Sequence, residues 1–505
     1  MISRPFLIPL LHKPHLHSTP MDTQVVDNYQ SDFSAYLKDE KAAVELQSCI
    51  GHLQFDKGIE LVLFRNPLVD VTISDILQLH AYANVVVNKA ISVHDTSSLA
   101  AELLTMNIAQ SKLDIGLLAY QWQAEKGQFS DQRTFLEAKL TGFTIDEDEE
   151  TRPKDVVLYG FGRIGRLAAR LLITSAGKGQ QLRLRAIVVR TIDKDQLNKR
   201  AHLLRNDSVH GRFQGTVEED YENMELIING QRVKFIAAKN PEDIDYTSYG
   251  INDALIIDNT GVFKDKTALS RHLSSKGASK VLLTAPGKEV PNVVYGVNHK
   301  TLQLDEDDVI SAASCTTNAI VPVLKVIHDS LGVDKGHIET VHAYTNDQNL
   351  LDNMHKKARR GRSAAINMVI TETGAGRAVT KVIPDLKDKL TANAVRVPVP
   401  NGSLAILSLT ISRETTLAEV DSLLKDAALR GDLVNQINYN INEECVSSDI
   451  VGNSCCSVYD SHATIVHPDK KSIVLYVWYD NEFGYTKQVL RLAKHIARVR
   501  RLIYY

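Results

Sequence analysis

Lys154-Asp-Val-Val-Leu-Tyr-Gly-Phe-Gly-Arg-Ile-Gly-Arg166 is a short apolar run that passes directly into a glycine triplet, Gly160-x-Gly162-x-x-Gly165. Leu167-Ala-Ala-Arg-Leu-Leu-Ile173 follows at helical spacing, and Leu184-Arg-Ala-Ile-Val-Val189 is a second β-prone run. Strand, glycine turn, helix and second strand together give such a triplet meaning. The first glycine permits a tight turn, the second admits a pyrophosphate, and the third lets helix and strand approach. Backbone N–H groups at the helix start then face the phosphate charge. The pattern predicts a dinucleotide-binding Rossmann unit rather than a merely structural turn. Gly160, Phe161, Gly162, Arg163, Ile164 and Gly165 are the expected cofactor contacts.

The end of the second strand bears on which dinucleotide binds. An NAD site usually places a carboxylate there to accept from the ribose 2′-hydroxyl. Here the strand runs Val188-Val189-Arg190-Thr191, and the first acid is Asp193. A carboxylate would repel a 2′-phosphate, whereas Arg190 and Thr191 could bind one. NADP, or use of both cofactors, is therefore expected. The alternative is a solvated Arg190, with NAD bound without that carboxylate. Further strands are predicted at Ala254-Leu-Ile-Ile-Asp258 and Lys280-Val-Leu-Leu-Thr284. Small residues just beyond them fall at the carboxyl ends, where doubly wound sheets bind ligands.

Downstream, Ser311-Ala-Ala-Ser-Cys-Thr-Thr-Asn-Ala-Ile-Val-Pro322 sets Cys315 among hydroxyls and small residues, before an apolar run suited to a helix. A thiol at a helix N-terminus feels the positive end of the dipole, which favours the reactive thiolate. His342, in Glu339-Thr-Val-His-Ala-Tyr-Thr345, could serve as its base. Alone, the pair leaves open the plainer reading of a packed, inert cysteine.

At 505 residues the chain should hold two or three domains. Its 44% hydrophobic and 24% charged content is that of a globular protein with ample core. A net charge of −3 argues against a protein-wide nucleic-acid or membrane footprint. The five cysteines form no CxxC pair, so neither a disulfide framework nor a metal site is expected. That usage suits a reducing, cytosol-like compartment. No run approaches the roughly 18 apolar residues of a membrane-spanning helix.

Residues 1–20 are free of acids and are expected to be a disordered leader, with Met21 as a candidate start and a targeting segment as the alternative. Residues 21–150 read as a mainly helical accessory domain closed by an acidic linker, Asp146-Glu-Asp-Glu-Glu150. Asp32-Phe-Ser-Ala-Tyr-Leu-Lys-Asp-Glu-Lys-Ala-Ala-Val-Glu-Leu46 repeats at helical spacing. Ser74-Asp-Ile-Leu and Asp95-Thr-Ser-Ser-Leu open with capping residues. Gly58–Pro67 could hold a short strand. His52, His80 and His94 show no metal-ligand spacing, and Tyr82, Tyr120 and Trp122 are expected in the core.

The assembled segments resemble the phosphorylating glyceraldehyde-3-phosphate dehydrogenase family. The carriers are the glycine run 160–166, Asp207-Ser-Val-His-Gly211, Asn259-Thr-Gly-Val-Phe263 and Ser314-Cys-Thr-Thr-Asn318. They continue with Thr340-Val-His-Ala343, Arg396-Val-Pro398 and Trp478-Tyr-Asp-Asn-Glu-Phe-Gly-Tyr485. About 154 to 498 is covered, leaving the N-terminal region outside, as in a longer bacterial branch.

The resemblance implies that Cys315 attacks an aldehyde and His342 takes its proton. The hemithioacetal then becomes a thioester that orthophosphate releases as an acyl phosphate. It implies that Thr345 and Arg396 hold the substrate's own phosphate, and that Ser314, Thr316, Thr373 and Gly374 hold the attacking one. Asn481 would fix the nicotinamide carboxamide with Tyr485 nearby, and Lys239, Thr260 and Thr284 would lie on the cofactor side. The basic run Lys356-Lys-Ala-Arg-Arg-Gly-Arg362 matches a long loop near cofactor and subunit interface.

Two departures stand out: Tyr159 replaces the usual Asn before the triplet, and the acid near Val189 is missing. A four-carbon relative, erythrose-4-phosphate dehydrogenase, shares the cysteine and histidine, so these do not decide substrate length. A regulatory or scaffolding protein that retains the fold is the rival from a different class. The expected architecture is a Rossmann domain at 151–314 and a catalytic α+β domain with an antiparallel sheet at 315–484. A C-terminal helix at 485–505 should pack back on the cofactor domain. The family further implies a cytoplasmic homotetramer acting on a sugar phosphate and orthophosphate. The N-terminal domain's partner is unidentified.

Overall fold

Lys154–Tyr159 buries every residue from Asp155 onward, as a strand covered on both faces must. The computed structural model that shows this describes residues 28–85, 87–143, 153–499 and 501–505. The expected leader at 1–20, the start at Met21 and the acidic linker at 146–150 lie outside the described residues. Two compact units emerge, one from 153 to 499 and one from 28 to 143 joined by 501–505.

In the larger unit, an eight-stranded sheet runs Val309–Ser311, Ala278–Leu283, Ala254–Asp258, Lys154–Tyr159, Leu182–Val189, Gln231–Ala237, Glu225–Ile228 and Val217–Asp220. The first six strands are mutually parallel and the last two pair antiparallel. The chain builds outward from Lys154–Tyr159 on one side, then resumes on the other with Ala254–Asp258. That reversal opens the crevice where such sheets bind dinucleotides. This is the Rossmann fold expected from the glycine run.

A second sheet follows, ordered Val369–Thr371, Leu390–Val397, Val333–Ala343, Ser403–Ile411, Ser472–Tyr479, Ser457–Asp460 and Ile437–Asn440. It is mainly antiparallel, with two parallel pairs. The helix Cys315–Leu331 packs on it, sharing a core with Leu407, Leu475 and Val477.

The C-terminal helix, Phe483–Ile496, places Val489, Leu492, Ala493 and Ile496 in the core of the Rossmann sheet, beside Val156 and Leu158. It does not reach residue 505. Arg498 takes a left-handed φ of 53°, and the β-prone Leu502–Tyr504 forms a strand instead.

That strand belongs to the smaller unit, where helices predominate around a four-stranded sheet. The order is Asn66–Pro67, Glu60–Leu63, Ser111–Asp114, Leu502–Tyr504. The strand sought in 58–67 is thus Glu60–Leu63. Trp122 packs on Phe135, with ring centroids 5.4 Å apart. Tyr120, expected in the core, is exposed and lies under Lys89. Among the described residues no helix is long and apolar enough to cross a membrane.

Candidate active site

Cys315 is the first residue of its helix, and Ser314 caps it by accepting from Thr317 N at 3.0 Å. Just before the cap, Ala313 sits at φ 55°, a left-handed conformation that costs a non-glycine residue of order 1 kcal/mol or more. Tyr485 Oη holds it there by donating to the Ala313 carbonyl at 2.9 Å, and Ser311 Oγ accepts from Ala313 N at 3.1 Å. Tyr485 thus acts on the cysteine turn from within the core.

His342 lies near the end of Val333–Ala343, with Nε2 at 3.7 Å from Cys315 Sγ. Strand register pairs His342 directly with Arg396. The Ala343 carbonyl lies 2.7 Å from His342 Nδ1 and accepts from Arg396 Nη1 at 2.8 Å. Arg396 Nη1, which can only donate, also lies 2.9 Å from Nδ1, so the tautomer that turns the Nε2 lone pair toward sulfur is the one in which Nδ1 keeps its proton for the Ala343 carbonyl. Burial, seconded by the Arg396 charge, pushes the imidazole down to about 3. Burial also raises the Cys315 thiol, although the Thr316 hydroxyl and Arg396 oppose this. Burial thus opposes the thiolate that the helix terminus, the Thr316 hydroxyl and Arg396 favour, while His342 is held neutral as a base.

Of the expected phosphate ligands, Arg396 keeps its Nε buried without a protein partner. Thr345, three residues past His342, is half-buried. Thr373 and the exposed Gly374 form the turn that starts the helix Ala375–Val382. The Ser314 hydroxyl is engaged in the helix cap and Thr316 Oγ1 lies 3.1 Å from Tyr479 Oη, so both are partly committed within the protein. Arg360 was missed as an individual residue within the basic run. Its Nε donates to Thr371 Oγ1 at 3.0 Å, it pairs with Asp347, and its charge depresses both His342 and Arg396. Only the fold marks it out: the Arg360 side chain is largely enclosed while the other charged residues of the run are exposed.

At the glycine turn, Gly160 has φ 99°, and a Cβ on Gly165 would stand 2.4 Å from Gly160 O. A Cβ on Gly162 would meet nothing within 4 Å, and the helix Arg163–Thr174 it caps has no side-chain cap. Open space over unpaired helix-start N–H groups fits a pyrophosphate. Thr260 adjoins Gly160 and is fixed by Asp258, which also pairs with buried His272. Thr284 Oγ1 donates to Asp258 O at 3.0 Å. Asn481 accepts from Ser403 Oγ at 2.9 Å through its side-chain oxygen. Arg190 and Lys239 are exposed.

Two expected contacts change character. Phe161 is packed edge-on against Phe235, so only its backbone is free for a cofactor. Arg163 turns its guanidinium to Glu482 in a bidentate pair and to Asp207 at 3.2 Å, joining the glycine helix to the segment beside Asn481. Ile164 packs against the same core.

A doubly wound cofactor sheet, with a helix-terminal cysteine set against a histidine on a second sheet, fits the class of nicotinamide-dependent oxidoreductases. The sequence comparisons make this specific. Profiles of the NAD binding domain and the C-terminal domain of glyceraldehyde 3-phosphate dehydrogenase match residues 154–266 and 314–481. The glyceraldehyde-3-phosphate dehydrogenase of Zymomonas mobilis is 39% identical over 345 residues, 68% of this chain and 98% of that protein. That of Bacillus subtilis is 40% identical over 344 residues, with the same shares. A glyceraldehyde-3-phosphate dehydrogenase-like protein of Pseudomonas aeruginosa is 46% identical over 454 residues, 89% of this chain and 98% of that one. That alignment is too long for the larger unit alone, so it takes in part of the N-terminal unit as well. The chain belongs to the glyceraldehyde-3-phosphate dehydrogenase family.

Proposed function

We propose that the chain oxidises glyceraldehyde 3-phosphate in the presence of orthophosphate to 1,3-bisphosphoglycerate, reversibly, with NAD or NADP. The observation that carries this reading is the 3.7 Å approach of Cys315 Sγ to a neutral His342, with Arg396 in register beside it. His342 Nε2 takes the thiol proton as Sγ adds to the aldehyde carbon. The oxyanion accepts from the Cys315 backbone N–H and the protonated ring. Arg396 and Thr345 hold the substrate's phosphate. A nicotinamide cofactor, when bound, supplies the hydride acceptor. Once the thioester has formed, an orthophosphate oxygen attacks its carbonyl carbon, the C–S bond breaks, and sulfur regains a proton through His342. Ser314, Thr316, Thr373 and Gly374, with Arg360, provide donors for that second anion.

The exposed apolar residues Leu350, Leu351, Met354, Ile366 and Met368 support assembly into a homotetramer, and five free cysteines support a cytoplasmic setting. The test is a rate matrix of triose against tetrose phosphate, NAD against NADP, with and without orthophosphate. Phosphate-dependent turnover of the triose is expected. Turnover confined to the tetrose, or none, would overturn the assignment.

A further inference from the structure

Three hydrogen bonds define the surroundings of the carboxyl end of Leu182–Val189, and two of them bring cationic residues to it. Gly160 N donates to Val188 O at 2.9 Å, so the strand end lies against the glycine turn. Ala238 N donates to Val189 O at 2.9 Å, which sets Lys239 beside Arg190. From the following helix, Arg200 Nη2 reaches back to Thr191 O at 3.4 Å. Arg200 Nε is buried and has no protein partner.

The carboxylates near this corner in the sequence each have a partner of their own. Asp193 accepts from Gln196 N at 2.8 Å as the cap of the helix Lys194–Arg205, and its charge also reaches Arg200, so it is the one acid that the three cations must outweigh. Glu242 is held by Arg271, and Asp243 accepts from Asn240 at 3.0 Å. In a Rossmann sheet this corner receives the adenosine ribose, and a free acid there would select the 2′-hydroxyl.

We propose that Arg200, with Arg190 and Lys239, forms a binding site for the 2′-phosphate of NADP, making this chain an NADP-preferring member of its family. The inference deepens the cofactor use proposed above and rests on it. Arg200 supplies directed donors from a half-buried position, as planar guanidinium groups do for phosphate. Arg190 and Lys239 add exposed charge.

The test uses the full-length chain and a fragment without a nicotinamide. Adenosine 2′,5′-bisphosphate and adenosine 5′-monophosphate are titrated calorimetrically, and NADP and NAD are titrated alongside. The bisphosphate should bind at least about tenfold tighter than the monophosphate, as charge-assisted hydrogen bonds imply. Arg200→Gln should lower the NADP-to-NAD affinity ratio about tenfold, and exposed Arg190→Gln should lower it less. Raising salt should erode the preference. Equal binding of the two fragments, or an unchanged ratio in both variants, would overturn the proposal. If no aldehyde is oxidised with either cofactor while the bisphosphate still binds through Arg200, the catalytic reading fails and this site stands.

Discussion

Replacing Arg163 with Met takes a cationic partner from two carboxylates. Arg163 joins the start of the glycine helix to Glu482 and Asp207, whose side chains are 13% and 7% exposed. Burial raises the Glu482 carboxyl, but hydrogen bonds from His210 and Arg163 more than reverse this. Asp207 is drawn down to about 2 against its own burial by the His210 and Val209 N–H groups and Arg163. After the change Asp207 keeps Arg166, whereas the Glu482 side chain keeps its hydrogen bond with His210, at 3.1 Å, and only the more remote charge of Arg166, and can limit its penalty by taking a proton. At pH 7, against an ordinary glutamate value of 4.5, that escape costs about 3.4 kcal/mol relative to the unfolded chain, to which the stabilisation carried by the wild type's lowered carboxyl adds. Breaking one partner of a buried pair costs about 3–5 kcal/mol, and the partly exposed Arg163 belongs at the low end. Arg163→Met should therefore lose about 3 kcal/mol at pH 7. The loss should shrink by up to about 1.4 kcal/mol per pH unit toward pH 5, because the variant's carboxylate is raised and the wild type's is lowered. Trp122 and Trp478 are the two tryptophans, so in a Trp122→Phe background fluorescence follows Trp478 in the larger unit alone. Denaturant titrations at pH 7 and 5 would measure both quantities. A loss under about 1 kcal/mol at pH 7, or one independent of pH, would refute the reasoning.

His342→Gln should lower kcat by about 10²–10⁴, the range for a lost general base, while Cys315 remains open to alkylation; near-normal turnover would remove His342 as the base. Acid should weaken the fold. His342 and His299 are pushed by burial to about 3 and about 4, so the unfolded chain takes up protons that the native state refuses. Their contribution is complete above the ordinary value of 6.5 and is lost as pH falls from there toward 4, at most about 1.4 kcal/mol per pH unit each. Equal denaturation midpoints at pH 7 and 5 would contradict this. Removing residues 501–505 should take away an edge strand and the half-buried Arg501–Glu60 pair. Faster amide exchange in Glu60–Leu63 and Ser111–Asp114 is the expected readout, and unchanged exchange would show that the tail is dispensable.

The Rossmann half was legible because local and global signals agree there. The glycine run demands a left-handed turn at Gly160 and backbone contact at Gly165, and the apolar strands around it can only be buried. Cys315 and His342 were legible through their motifs, but their protonation was not. A helix terminus is a local feature, whereas burial is set by packing between segments distant in sequence, and the charge of Arg396 that opposes it arrives through strand register. Arg163 lies within the glycine motif, yet its side chain answers to Glu482, which no spacing reveals. Leu502–Tyr504 was absorbed into a helix because its partner strand lies about 390 residues away in sequence. Arg200 was silent for a similar reason: only the fold brings it back to Thr191.

The most direct test of the account is a single turnover with glyceraldehyde 3-phosphate and saturating cofactor in the absence of orthophosphate. The account predicts one equivalent of reduced cofactor per site and an acyl group found by mass spectrometry on the Cys315 peptide, discharged when orthophosphate is added. Sustained turnover without orthophosphate, or reduced cofactor formed with Cys315 left unmodified, would contradict it.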